Sequence, residues 1–221
     1  MAQGNGLNEP KLEVELFTWG SCKRGSASII WPRVLDLVRV TGSPGRHVVE
    51  FEDVVIEYEN HDSRRNIHRR VFIRAKRPII VRHYGSGSCN PKSAFDYIYL
   101  VTPDGITELE VQEGSASFEE YGGREVVTYL VRYVNAPDGG RVILDRVQVL
   151  ERRVNYDRLR VRVHVDGGNV IVEGDTYYVR DVLRKYGFKW DGDARAWVGG
   201  VGNVDSALNE VRALGIRVEQ S

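Results

Sequence analysis

The chain has 221 residues, enough for one large domain or two smaller ones, with 42% hydrophobic and 28% charged side chains. Its 31 basic and 31 acidic side chains cancel, so binding to a polyanion or an anionic membrane requires local segregation of charge. No apolar run approaches bilayer length and the first residues lack a secretion-signal pattern, so a cytoplasmic protein with no membrane partner is expected.

In chain order, Lys11 to Thr18 alternates apolar and polar residues, the period-two signature of a strand with one wet face. A Gly/Ser-rich loop follows. From Ile29 to Val40 the pattern fits either a strand or a short helix, with Pro32 placed to open a helical turn. Val48 to Tyr58 and Arg69 to Tyr84 read as strands around a polar turn at 59–66. Tyr97 to Thr102 with Thr107 to Val111, and Val126 to Val134 with Arg141 to Val149, read as hairpins around Pro-Asp-Gly turns. The fold class expected is mainly β plus α+β. An antiparallel β sandwich or barrel fills residues 1–154, and a small ββαββαβ module fills residues 155–221.

In that second module, Leu159 to His164 and Asn169 to Val172 form a hairpin across Asp166-Gly-Gly. A helix follows, which Asp175 or Thr176 can cap, with Val179, Val182, Leu183 and Tyr186 at helical spacing and Gly187 as its left-handed end. Two short strands, Phe188 to Trp190 and Arg195 to Val198, flank a tight turn. A second helix from Val204 to Leu214 ends at Gly215, and Ile216 to Val218 closes the chain as a strand.

Cys22 and Cys89 lie in separate loops and are too few for a disulfide scaffold or a four-thiolate zinc site. Two reduced thiols are expected, with a staple between the loops as the alternative. Arginine outnumbers lysine 25 to 6 and methionine occurs once, a composition suggesting a thermophile. Gly85 to Ser93 superficially resembles a phosphate loop, but Pro91 stands before Lys92 where that motif requires glycine. The five histidines show no zinc-protease spacing, and neither a metal nor another cofactor is expected.

Two features point to function. Between Asp62 and Asp96 there is no acidic residue, while basic residues recur. Strand geometry puts Arg70, Phe72, Arg74 and Lys76 on one face, pairing cations for phosphates with a ring for base stacking. The competing expectation is that these cations pair across the sheet with Glu50, Glu52, Glu57 and Glu59.

The second feature is the run Tyr177-Tyr-Val-Arg-Asp-Val-Leu-Arg-Lys-Tyr-Gly-Phe-Lys-Trp-Asp-Gly-Asp-Ala-Arg-Ala-Trp-Val198. It resembles the HARP-like small α+β modules of DNA-processing proteins, in which a glycine-ended helix precedes an aromatic-basic-Trp-Asp turn. The resemblance implies a nucleic-acid accessory role carried by Lys189, Trp190, Arg195 and Trp197, beside a helicase or other DNA-processing partner. If Phe188 and Trp190 pack under the helices, Trp197 is left with Arg195 and Lys189 on the open face; the competing expectation is that both tryptophans fill the core of so small a module. The function expected is sequence-neutral binding of single-stranded or distorted DNA or RNA without catalysis. The alternatives are a protein-interaction adaptor and a nuclease holding metal on acids such as Glu50, Glu52, Asp53 and Glu57.

Overall fold

The computed structural model describes residues 10–20, 22–87 and 94–220. These fall into two compact units, one within Met1–Gly114 with Arg132–Asp145, the other within Ser115–Val131 with Arg146–Ser221. The protein is mostly β, with antiparallel sheets and few helices.

In the first unit, strands β1 (Leu12–Trp19), β2 (Lys23–Trp31), β3 (Leu35–Asp36), β4 (Gly45–Glu50), β5 (Val54–Asn60), β6 (Asn66–Ala75), β7 (Ile79–Ser86), β8 (Phe95–Thr102) and β9 (Gly105–Glu108) form one sheet. Its order is β4-β5-β6-β1-β2-β7-β8-β9, and β3 pairs with β2. Alternation does what the pattern requires. Leu12, Val14 and Leu16 of β1 are buried while Glu13 and Glu15 are exposed, and Val54, Ile56, Tyr58, Val71 and Ile73 join the same core. A one-turn helix α1 (Leu37–Val40) starts where the Asp36 carboxylate accepts the Val38 N–H at 2.9 Å. Its carbonyl end is met by the buried Arg69 guanidinium, which donates to Val38 O and to the Asp62 carboxylate.

Several sequence expectations need correction. The run Val48 to Tyr58 is two strands, with Phe51 N–H donating to Val54 O at 2.8 Å across the turn. Arg69 to Tyr84 likewise divides into β6 and β7 around Lys76-Arg77-Pro78. Both turns are built from charged residues, with no glycine to mark them. The Gly/Ser stretch after Trp19 is largely strand, because Gly25 of β2 leaves space filled by the Phe17 ring of β1. Pro32 opens no helix, and follows a cis peptide bond. Cys22 is disulfide-bonded rather than reduced; Cys89 and Lys92 lie outside the described residues.

Strands β10 (Gln112–Glu120), β11 (Glu125–Asn135) and β12 (Arg141–Val154) form a three-stranded sheet in that order. Ser and Gly residues hide β10 from the sequence pattern.

The change of texture near Asn155 marks the start of a five-stranded sheet within the second unit. It contains β13 (Arg160–Asp166), β14 (Asn169–Gly174), β15 (Lys189–Asp191), β16 (Ala196–Gly200) and β17 (Arg217–Gln220), in the order β15-β16-β14-β13-β17. Helices α2 (Arg180–Lys185) and α3 (Val204–Ala213) complete the ββαββαβ order. Leu183, Leu208 and Val211 from the helices pack with Val161, Val163, Val170 and Val172 from the sheet. Gly187 and Gly215 end the helices at φ +85° and +88° as expected. Neither Asp175 nor Thr176 caps α2, which a single 3-10 turn precedes. The Asp175 carboxylate is instead committed to the Arg160 N–H and the Arg124 guanidinium.

Candidate nucleic-acid interface

The basic strand β6 lies between β5 and β1, both of which bring glutamates to its wet face. Register sets Phe72 opposite Glu57 and Glu13, and Arg70 opposite Glu59 and Glu15. Arg70, Phe72 and Arg74 do share a face, but each cation is held. Arg70 meets Glu13 at 2.6 Å, Arg74 meets Glu57 at 3.0 Å, Lys76 meets Glu50, and Arg77 meets Glu52 at 2.9 Å. The half-buried Phe72 ring already carries the Lys11 ammonium 4.5 Å from its centroid. The Glu13 hydrogen bond raises the Arg70 pKa, and the Lys76 hydrogen bond lowers that of Glu50. This is the ion-paired exterior set against the stacking surface above, with one partner, Glu13, from a strand outside the expected set.

The acids considered for metal are engaged in the same kind of pair. Glu50, Glu52 and Glu57 each hold a cation, Asp53 accepts Arg33 at 2.7 Å, and among the described residues no three His, Cys, Asp or Glu side chains group as metal ligands. Nor, among those residues, is any helix long and apolar enough to cross a membrane.

In the C-terminal hairpin the register is Lys189 opposite Val198, Trp190 opposite Trp197 and Asp191 opposite Ala196. Phe188 and Trp190 point to the helix side with Lys189 opposite, as expected. Trp197 does not join Lys189 on the open face, because cross-strand partners share a face. Arg195 sits in the turn at φ +51°, where it consumes one residue and sets Trp197 beneath the helices. The Asp191 carboxylate closes this turn, accepting the N–H groups of Asp193 and Ala194 at 2.9 and 3.0 Å.

The helix-side row thus runs Val163, Val172, Trp197, Trp190, ending at the free edge of the sheet. Trp197 is 5% exposed and Trp190 is 51% exposed, with ring centroids 5.7 Å apart at 63°. Phe188 is buried over Gly199, where a Cβ would stand 2.6 Å from the ring. Trp190 is therefore propped edge to face on a core residue, with its outer surface wet. The Arg184 guanidinium lies 5.5 Å from the Trp197 ring centroid, a contributor missed in the sequence because helix α2 places it there across the fold. Lys189 and Arg195 are exposed and, among the described residues, form no ion pair.

In comparisons with known proteins, no family model, curated protein or solved structure matches the chain.

Proposed function

We propose that this protein is a nucleic-acid-binding accessory protein, holding single-stranded or distorted DNA or RNA without sequence preference. The observation that carries the proposal is Trp190, a half-exposed indole fixed against Trp197, whose ring carries Arg184, with Lys189 next to it on the edge strand and Arg195 in the turn that joins the two strands. A base stacks on the outer indole face, and the cations take the adjoining phosphates. Lys189 points away from the helix side, but β15 is an edge strand, so a chain following the edge meets both side chains. The neutralised face of β6 has no part in this reading.

The test is fluorescence anisotropy with labelled single-stranded DNA, duplex DNA and RNA at low and moderate salt. Affinity for single strands that falls with salt, and falls about 5- to 150-fold in Trp190→Ala, supports the proposal. Absence of binding to all three at low salt refutes it.

One observation favours a second reading, a protein-interaction adaptor of a DNA-processing complex. Val147, Val149 and Leu150 are 46–52% exposed on β12, an edge of its three-stranded sheet. That reading expects stable association with a protein partner in the absence of nucleic acid.

A further inference from the structure

Where β1 meets β2 and β6, the first unit carries another exposed indole with cations nearby. Register sets Trp19 opposite Lys23 on β2 and Asn66 on β6, and Phe17 opposite Gly25 and His68. These residues form two adjacent rows across three strands, on one face. Trp19 is 60% exposed, and Phe17 lies over Gly25, where any side chain would collide with its ring. With Glu15, the side chains of Phe17, Trp19, Lys23 and His68 line a recess of about 210 Å³.

The surrounding charge is unlike that along β6. Arg64 and Arg65 occupy the turn closed by Ser63 N–H donating to Asn66 O at 2.9 Å, immediately before the cross-strand neighbour of Trp19. Cross-strand spacing and strand rise place the Arg65 and Trp19 Cα atoms within about 7 Å. Lys23 joins these arginines from β2, while Arg24, opposite Thr18, faces the other side of the sheet. Lys23, Arg64 and Arg65 are exposed, and none forms an ion pair among the described residues. Nearby acids are mostly taken: Asp62 is held by Arg69, and Glu59 by Arg46 and His61. Among the described residues, Glu15 alone brings a carboxylate to the recess. The disulfide at Cys22, with its N–H donating to Trp19 O at 3.2 Å, ties down the turn beside the ring.

We infer that this end of the sheet is a second single-strand subsite, where a base stacks on Trp19 beside Phe17 and flanking phosphates are held by Lys23, Arg64 and Arg65. It rests on the reading that the protein binds single-stranded nucleic acid, but assigns the contact to different residues in the other unit. A duplex keeps its bases stacked internally and gains nothing from the ring, so preference for single strands follows.

The test uses the full chain and a fluorescein-labelled oligothymidylate of twenty nucleotides, with Trp19→Ala, Trp19→Phe, the pair Arg64→Ala and Arg65→Ala, and Trp190→Ala. Circular dichroism checks the fold of each. Trp19→Ala is expected to weaken binding about 5- to 150-fold, with Trp19→Phe retaining most of the affinity. Losing both arginines is expected to flatten the log–log salt slope by about 1.4, about 0.7 for each single-strand phosphate released. If Trp190→Ala weakens binding while the Trp19 and arginine variants match wild type, the subsite is wrong and the C-terminal proposal stands. The opposite pattern keeps the subsite and removes the hairpin. A wild-type chain that does not bind overturns both.

Discussion

Replacing either tryptophan of the C-terminal hairpin by alanine separates the core ring from the free one. Burying a whole indole removes about 150–250 Å² from water, worth about 4–6 kcal/mol at about 25 cal/mol per Å² as an upper estimate. Truncations of buried Phe or Trp cost about 3–5 kcal/mol in practice. Trp197, 5% exposed among the valines of β13 and β14, is expected to cost the full amount. Trp190, with half its surface already wet, is expected to cost about half, about 1.5–2.5 kcal/mol. The edge-to-face contact disappears in both variants and cancels from the difference, leaving a gap of about 2 kcal/mol. Two units need not unfold together, so the assay is native-state hydrogen exchange of the β13, β14 and β16 amides, supported by urea denaturation. Equal costs, or a larger cost for Trp190→Ala, would refute the assignment of Trp197 to the core and Trp190 to the surface.

Three further substitutions probe other parts of the structure. Gly174→Ala should destabilise the second unit by at least about 2 kcal/mol, because φ is +96° there and a Cβ would stand 2.6 Å from the Arg160 carbonyl oxygen; melting of the five-stranded sheet checks it. For Asp62, burial alone would raise the pKa, but hydrogen bonds from Arg69 and the His68 N–H outweigh it and hold the carboxyl below its ordinary 3.8. A depressed pKa gives stability that is complete above the ordinary value and lost as pH falls through the depressed one, so acid unfolding of wild type should show a loss that is missing in Asp62→Asn. At neutral pH that variant should be about 2–3 kcal/mol less stable in urea, since Arg69 is 6% exposed and loses its counter-charge. Finally, the combined change of Arg70, Arg74 and Lys76 to Ala should leave affinity for single-stranded DNA within about twofold, because all three already hold carboxylates; a tenfold loss by anisotropy would contradict this.

The C-terminal module was legible because its signals are local. Gly187 and Gly215 end helices whose apolar spacing is regular, and Asp166-Gly167-Gly168 marks a tight hairpin. The first unit was legible in class but not in detail. No glycine or proline marks the turn at Phe51-Glu52-Asp53, so a hairpin looks like one long strand; Gly25 and Ser26 have weak β propensity, and only the distant Phe17 ring explains their place in β2. Two features around the candidate residues were not legible, for different reasons. Arg195 absorbs one residue in a left-handed turn, and a one-residue change of register moves Trp197 to the other face. The acid-free stretch around β6 is real in the sequence, but Glu13, which neutralises Arg70, lies 57 residues earlier. Charge segregation along a chain need not survive pairing in a sheet. Cations with no ion pair among the described residues instead accompany the exposed tryptophans, Lys189 and Arg195 in the hairpin of Trp190 and Lys23, Arg64 and Arg65 around Trp19.

The most direct test of the central proposal is to irradiate the full chain bound to single-stranded DNA carrying bromodeoxyuridine and to map the adducts by mass spectrometry. Adducts on Trp190, lost when excess unlabelled single strand is added, are the expected result. A strand that binds yet crosslinks only to the β6 face around Phe72, leaving Trp190 unmodified, would contradict it.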